Sequence, residues 1–477
     1  MSDRIFIEKE LKEYWETEIR LRFSQLSLEA QRELKNGTKV KYVNLDNAAT
    51  TKSFKSVIEQ IIRDLDEYGS VHRGAGQESK ITTDKYEQAR EKIRVFVGAS
   101  SDNYVIFTKN TTEAINHAAV LWSKISGKVL VSDIEHSSNL LPWLRTQGII
   151  QYKTNEDGTV DVAEVEKVFS QNPGIKLLTI TGSSNVTGYK PPIYKLAEIA
   201  HKYGAKILVD VCQYLQHDKV DMLPNDDIKH LDFIAFSGHK MYAPFGAGVL
   251  VGPKEFFDRA MPYQIGGGNL PYLTSDLRIL KFSTVQTHDP GTPNAIGVLA
   301  IAKSIEVLEK IGIEKIKDYE HKLVGLALNE LRKNSKVTVY SAKPPHGSII
   351  SFDVDGFPAK LVSEILAQEY GIGTRAGSFC TYELLRKLKC ISSEEDAKIA
   401  EEVKKGITAN IPSVVRASFS IYNNIDDMKR FVNAINEISI KEFQHYLKIY
   451  DMNNQTGDWM PTFSAFPIVK REVQLSQ

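Results

Sequence analysis

Cysteine is scarce in this chain: Cys212, Cys380 and Cys390 are its only three in 477 residues. So few, so far apart, exclude a disulfide framework and fit a reducing compartment, with the cytoplasm as the expected location. An excess of charge of either sign is also missing, since 60 basic residues stand against 60 acidic ones. That balance argues against nucleic acid or an anionic membrane surface as the main partner, and neither is expected. No apolar run is long enough to cross a bilayer, and residues 1–22 are dense in Glu, Lys and Arg where a signal peptide would be apolar. Internal repeats and low-complexity tracts are lacking, and no metal site is expected.

What remains is an ordinary globular composition, 42% apolar and 25% charged, in a length that exceeds one hydrophobic core. The expected division is a helical extension over 1–40, a large domain over 41–300, a smaller one over 301–440 and a tail over 441–477. Residues 5–35 predict an amphipathic helix or helix pair that packs on the body of the protein, with Ile5, Leu11, Tyr14, Trp15, Ile19 and Phe23 at mostly helical spacing. Residues 40–45 predict a strand leading into Asp46-Asn47-Ala48-Ala49-Thr50-Thr51, a small-residue turn of the kind that lets backbone approach a ligand, though most are only turns. Helices over 54–68 and 79–97 flank the glycine-rich loop from Gly69 to Gly76. Strands over 104–107, 128–131, 177–180, 205–209, 231–236 and 249–251 then alternate with helices that open at 108–116 and run over 193–203. This rhythm predicts an α/β fold with a mostly parallel sheet and helices on both faces. Helices over 295–311 and 314–334 lead to a smaller α+β unit with strands over 337–340, 349–353 and 414–421. Its helices fall at 358–369, 381–389 and 393–408, with 371–380 as a loop or edge segment; from 443 the pattern is too weak to read.

Ligands in such sheets bind beyond the carboxyl ends of the strands. The chemistry-bearing residues of this sequence fall there. Ser237-Gly238-His239-Lys240 sits between two strand-like runs. Lysine is rarely buried without a partner or a task, and burial lowers the amine's pKa until it can form a Schiff base. A lysine snorkelling from a strand end to solvent is the plainer alternative. A Schiff-base lysine suits pyridoxal 5'-phosphate, whose other needs can be matched in turn. Asp210 could keep the ring nitrogen protonated, and His136 could cover the ring face. Thr111 and Thr112 at a helix start, with Ser237 and His239, could hold the phosphate. Gln213 or Asn185 could bond the ring hydroxyl, and Arg416 could grip a substrate carboxylate. Singly, each has a plainer role: Asp210 and the threonines as helix caps, His136 as a core histidine, Arg416 as a surface ion pair. Jointly they fill every slot of one cofactor. Gly246-Ala247-Gly248-Val249-Leu250-Val251-Gly252 suggests a dinucleotide-dependent oxidoreductase instead, but its spacing misses that fingerprint and it does not open a helix.

On these motifs, together with Val71-His72-Arg73-Gly74, Gly291-Thr292-Pro293-Asn294 and Arg375-Ala376-Gly377-Ser378-Phe379-Cys380, the chain resembles the class V aminotransferase group of fold-type-I pyridoxal-phosphate enzymes. Within that group it is most similar to the cysteine desulfurase and selenocysteine lyase branch, with the motifs in family order over residues 42–440. The resemblance implies a large domain with a mostly parallel seven-stranded sheet, pyridoxal phosphate as cofactor, and an obligatory homodimer in which Thr292 reaches the phosphate of the neighbouring subunit. It implies that Lys240 holds the cofactor and moves protons, with Arg416 and Asn185 on the carboxylate of L-cysteine. Cys380 as thiolate would attack the substrate sulfur, leaving a persulfide for an acceptor protein and alanine as product. His72, His136 or Arg375 could lower the pKa of that thiol. Two departures stand out: Ser378-Phe379 precede Cys380 where the branch often has histidines, and the 35 residues between Cys380 and Arg416 look helical. The alternative is a C–S lyase, epimerase or aminotransferase of the same family that does not use Cys380. Cys212 and Cys390 are expected to be structural.

Overall fold

The computed structural model describes residues 2–20, 31–34, 36–72, 74–341 and 346–462. Its centre is a seven-stranded sheet made of β1 (Asn103–Thr108), β2 (Lys128–Ser132), β3 (Ile149–Tyr152), β4 (Ile175–Thr181), β5 (Lys206–Asp210), β6 (Phe233–Ser237) and β7 (Gly248–Pro253). The strands lie in the order β1-β7-β6-β5-β4-β2-β3. From β6 to β3 every neighbouring pair is parallel, while β7 runs antiparallel to both β6 and β1. A sheet covered on both faces needs apolar side chains on both, and successive residues divide accordingly. Val105, Leu130, Leu178, Ile207, Ile234 and Val249 join one buried cluster. Their neighbours Ile106, Val129, Leu177, Leu208, Phe233 and Leu250 join the other. The strand Ile149–Tyr152 and the helix Val162–Gln171 are additions to the sequence reading.

A second sheet is antiparallel, in the order β8-β9-β11-β10, with β8 (Val337–Val339), β9 (Ile349–Val354), β10 (Arg375–Gly377) and β11 (Val414–Ser418). Phe352 packs edge-on against Phe431 of the helix Ile425–Ile440 with ring centres 5.8 Å apart. The segment 371–380 is thus an edge strand plus a two-residue ladder, Ile372–Gly373 pairing in parallel with Val43–Asn44. That ladder ties the turn after Asn44 to the second sheet.

The amino-terminal part differs from its expectation. The helix covers Ser2–Tyr14, continues as one π-helical stretch over Trp15–Arg20, and gives way to the strand Gln31–Glu33, which pairs with Lys39–Lys41. Residues 21–30, with Phe23, and residue 35 lie outside the described residues. Leu11, Trp15 and Ile19 are buried among the helices Ile313–Leu331 and Ile425–Ile440, whereas Ile5 is 63% exposed. The weakly patterned tail contains a helical turn, Phe443–Tyr446, and a hairpin of Tyr450–Met452 with Trp459–Pro461; residues 463–477 lie outside the described residues.

Gly248, which opens β7, sits against the backbone of Asn110: a Cβ there would meet the Asn110 carbonyl carbon at 2.5 Å. Asn110 caps the helix Thr111–Trp122 by accepting from the Glu113 N–H. Gly248→Ala should therefore displace that cap and cost about 1–3 kcal/mol. A lowered melting temperature in a thermal unfolding scan checks this, and an unchanged one would show that the close approach is not needed.

Candidate active site

The carboxyl ends of β2, β4, β5 and β6 open at one edge of the large sheet, where the second sheet closes over them around a cavity of about 430 Å³. Thr111, Thr112, His136, Asn185, Asp210, Gln213, Ser237, His239, Lys240, Arg375, Cys380 and Arg416 all line it. A larger cavity of about 760 Å³, beside His217 and Glu320, holds none of them. Two residues from the sequence reading are elsewhere. His72 is drawn away by Glu87, its Nε2 lying 2.7 Å from that carboxylate. Thr292 is exposed and does not reach the cavity of its own chain.

Parallel pairing sets the floor of the site. Asp210, the last residue of β5, stands opposite Ala235 of β6, two residues before the strand ends at Ser237. Burial raises the pKa of Asp210, opposed by the Cys212 N–H, which donates to Oδ1 at 3.0 Å, and by the charge of Lys240. Lys240 follows Ser237 after one 3-10 turn, Gly238–Lys240. The turn needs glycine, because a Cβ on Gly238 would lie 2.6 Å from Ile301 of the helix Ala295–Ile311. The His239 carbonyl accepts from the Thr51 N–H at 3.0 Å and the Thr50 hydroxyl at 3.0 Å, fixing the turn. Lys240 is half-buried, and its Nζ has no hydrogen-bond or ion-pair partner among the described residues.

Asn110, not Thr111 or Thr112, caps the following helix, so both threonine hydroxyls are free for other partners. The Thr111 N–H donates to Ser237 Oγ at 2.8 Å, the two hydroxyls are 2.7 Å apart, and Thr112 Oγ1 lies 2.7 Å from Ser138 Oγ. A cluster of hydroxyls at the amino end of a helix favours an anion. On the opposite side, His136 Nδ1 accepts from the Ser138 N–H at 3.1 Å, which places the ring proton on Nε2. Burial, reinforced by Lys240 and Arg416, pushes the His136 pKa down to about 4, so the ring is neutral near pH 7. Gln213 donates from Nε2 to the Ala48 carbonyl at 2.7 Å and keeps a buried Oε1 with no partner among the described residues, an acceptor suited to a ligand hydroxyl.

The second sheet supplies the cation. Arg416 on β11 is 3% exposed, lies 4.3 Å over the Phe379 ring, donates to the Asn185 carbonyl at 3.1 Å and stands 3.5 Å from Asp46. Burial lowers its pKa to about 10, which Asp46 partly offsets, and its Nε is without a partner among the described residues. Asp46 is the residue missing from the sequence reading. It clamps Arg375, with Nε at 3.1 Å and Nη2 at 2.9 Å, while also facing Arg416. The signal was a carboxylate inside a turn already read as a close-approach turn.

Cys380 is exposed at the rim, and its backbone is held in place. Phe379 and Cys380 both adopt left-handed conformations, φ 53° and 56°. Ser137 donates to the Cys380 carbonyl twice, from N at 2.7 Å and from Oγ at 2.9 Å. Asn185 Nδ2 donates to the Phe379 carbonyl at 2.8 Å while its Oδ1 accepts from the Thr381 hydroxyl at 2.8 Å. The amide of Asn185 is therefore committed to the cysteine loop. The helical look after Cys380 is real, with helices Tyr382–Leu388 and Ser393–Lys404 before β11. Cys212 is buried with its pKa pushed up to about 11 by burial, an inert thiol, and Cys390 lies off the cavity.

A carboxylate at the floor, an unpartnered lysine, a neutral imidazole opposite, hydroxyls at a helix start and a free buried amide oxygen form a donor set that fits pyridoxal phosphate. Residues 43–431 match the model of the aminotransferase class-V family, and the chain belongs to it. A probable cysteine desulfurase from Halalkalibacterium halodurans is 33% identical over 84% of this chain and 93% of its own length. A cysteine desulfurase from an Escherichia coli strain is 30% identical over 84% of this chain and 94% of its own. The solved apo structure of a cysteine desulfurase from Thermococcus onnurineus superposes with a TM-score of 0.73 at 30% identity, covering 83% of this chain and 94% of that one. Within the family the chain falls in the cysteine desulfurase branch of fold-type-I enzymes.

The neutral state of His136 has a consequence for stability. Its pKa is lowered from 6.5 to about 4 in the folded protein, so between those values the unfolded chain binds a proton there that the folded one does not. Its contribution is complete above the higher value and is lost as the pH falls toward the lower. His136→Phe should reduce the slope of stability against pH in that window by about one proton, read from urea unfolding at a series of pH values. An unchanged slope would mean that His136 is already protonated in the folded state.

Proposed function

We propose that this enzyme converts L-cysteine to L-alanine with pyridoxal phosphate as cofactor, carrying the sulfur as a persulfide on Cys380. The observation that carries the reading is Cys380 itself, pinned by Ser137 and Asn185 at the mouth of a cavity that also holds Lys240 and Arg416. When bound, the cofactor supplies an electron sink that weakens bonds near the substrate's α-carbon. Lys240 would hold it through Nζ, Asp210 would keep its ring nitrogen protonated, and Gln213 would accept from its hydroxyl. Thr111, Thr112, Ser237 and His239 would hold its phosphate, and His136 would lie against the ring as a neutral imidazole. Arg416, with Nε free, takes the substrate carboxylate, for which Asp46 is the competitor already in place.

Lys240 Nζ would move a proton at the substrate α-carbon. The Cys380 thiolate then attacks the substrate sulfur: an S–S bond forms, the C–S bond breaks, and its electron pair stays with the carbon fragment, which takes up protons and leaves as alanine. The sulfur is oxidised as the carbon is reduced, so no outside oxidant enters. Arg375 lies within electrostatic reach of the Cys380 thiol. The persulfide sulfur passes to an acceptor protein or a small thiol.

The working unit in this reading is a homodimer in the cytoplasm, dividing near residue 300 into a large and a small domain. Support for the dimer is an exposed apolar stretch, with Tyr272 62%, Leu277 75% and Phe282 64% exposed, and an exposed Thr292 that does not line the cavity of its own chain. Among the described residues no helix is long and apolar enough to cross a membrane.

The wild type should be yellow, lose that colour with borohydride and release alanine from L-cysteine. Lys240→Ala should be colourless, and Cys380→Ala should keep the colour while losing at least about a hundredfold in alanine formation, as expected for removal of a nucleophile. Alanine formation unchanged in Cys380→Ala would overturn the persulfide step in favour of a family reaction without the thiol. A wild type that takes up no added cofactor would overturn the whole reading.

A further inference from the structure

At the other edge of the large sheet, where the strands begin, two histidines face one aspartate. His201 lies at the end of the helix Ile193–Lys202, and Asp232 precedes β6. His201 Nε2 is 2.8 Å from Asp232 Oδ2, and His230 Nε2 is 3.4 Å from Oδ1. Each ring uses its other nitrogen on a backbone carbonyl: His201 Nδ1 on Ile228 at 2.6 Å, His230 Nδ1 on Asp227 at 2.6 Å. A carbonyl only accepts, so both Nδ1 atoms carry protons and both Nε2 atoms of the neutral rings present lone pairs to a carboxylate that can only accept. The protons that reach Asp232 are then those of Lys206 Nζ and the Ile207 N–H, and neither serves the two Nε2 atoms.

The two rings stack 4.2 Å apart and 15° from parallel, and the ligand atoms of both rings and the carboxylate lie within 4.8 Å of one another. A single metal ion can meet all three at once, and an Nδ1–H bonded to a backbone carbonyl is how metal-binding histidines are ordinarily oriented. Asp232 is 2% exposed and has a second anchor in the Ile207 N–H at 2.9 Å, while both imidazoles reach solvent. Lys206 Nζ, at 2.6 Å from Asp232 Oδ1, is the resident competitor, and at 45% exposure its side chain can swing out. The cluster of His72, Glu87 and Asp289 offers the contrast. There Arg90, buried and unable to leave, already fills the place of the cation, bonding Glu87 at 2.9 Å and Asp289 at 2.5 Å.

We propose that His201, His230 and Asp232 bind one divalent transition-metal ion of the zinc class, fastening the end of a helix to the start of β6 on the side of the sheet away from the catalytic cavity. Two imidazoles and a carboxylate are ligands that zinc accepts in a tetrahedral set, with water in the fourth position. The ion is structural, since none of its ligands lines the catalytic cavity. This departs from the expectation that the chain has no metal site.

The test titrates the cofactor-loaded protein with Zn²⁺ by calorimetry and with Co²⁺ by visible absorption, beside Cys380→Ser, His230→Ala and Lys206→Gln. Wild type and Cys380→Ser should take one ion per chain, with Co²⁺ bands that lack thiolate charge transfer and a melting temperature raised by Zn²⁺. His230→Ala should bind at least about a hundredfold more weakly, near 2.7 kcal/mol. Lys206→Gln, which removes the competing ammonium and leaves the ligands, should bind more tightly and keeps the proposal testable if His230→Ala does not fold. Absence of binding in the wild type, binding lost with Cys380→Ser and kept in His230→Ala, or affinity unchanged in Lys206→Gln would each overturn it.

Discussion

The site depends on one constraint, the parallel register of β5 against β6. Pairing Asp210 with Ala235 puts a buried carboxylate at the end of one strand and, one short turn beyond the end of the next, a lysine nitrogen with no partner among the described residues. Burying a carboxylate is unfavourable unless a compensating charge or donor is near. Asp210 has a single backbone N–H and the field of Lys240. A ligand bearing a protonated ring nitrogen would compensate Asp210, and the cavity at the strand ends is fitted to such a group.

The second sheet contributes what the first cannot, a fixed cation and a thiol over the open edge. Asp46 joins the two halves. Its neighbours are laced to the small sheet through the ladder of Val43–Asn44 with Ile372–Gly373 and a bridge from Asp46 to Ser418, while its carboxylate clamps Arg375 and faces Arg416. Arg416, 3% exposed, is held over the Phe379 ring. The left-handed pair Phe379–Cys380, a conformation that costs of the order of 1 kcal/mol or more per non-glycine residue, is maintained by bonds from Ser137 and Asn185. The thiol thus stands on a loop braced by the large sheet's own strand-end residues.

The elements with strong periodicity were readable within a residue or two: the helix Ala295–Ile311, six strands of the large sheet and the helix Tyr382–Leu388, whereas the helix from Ser393 ends at Lys404 and not at 408. Local pattern failed where pairing partners decide. Gln31–Glu33 is polar and exposed and looks like helix by composition, yet it gains a ladder with Lys39–Lys41. β7 reads like any buried strand, and nothing in its residues announces that it runs antiparallel to both neighbours.

The sequence by itself named most of the residues that line the cavity at the strand ends: lysine, aspartate, histidine, threonines, arginine and cysteine, each at a predicted strand end or in a short motif. That was possible because cofactor chemistry demands particular residue types at the ends of alternating strands. Only the tertiary structure decided their partners. It sent His72 to Glu87, turned Asn185 toward the cysteine loop, set Asp46 between two arginines and gathered His201, His230 and Asp232 at the opposite edge. The physical reason is that a side chain's partner depends on contacts between residues up to hundreds of positions apart, and these exist only once the two sheets have packed.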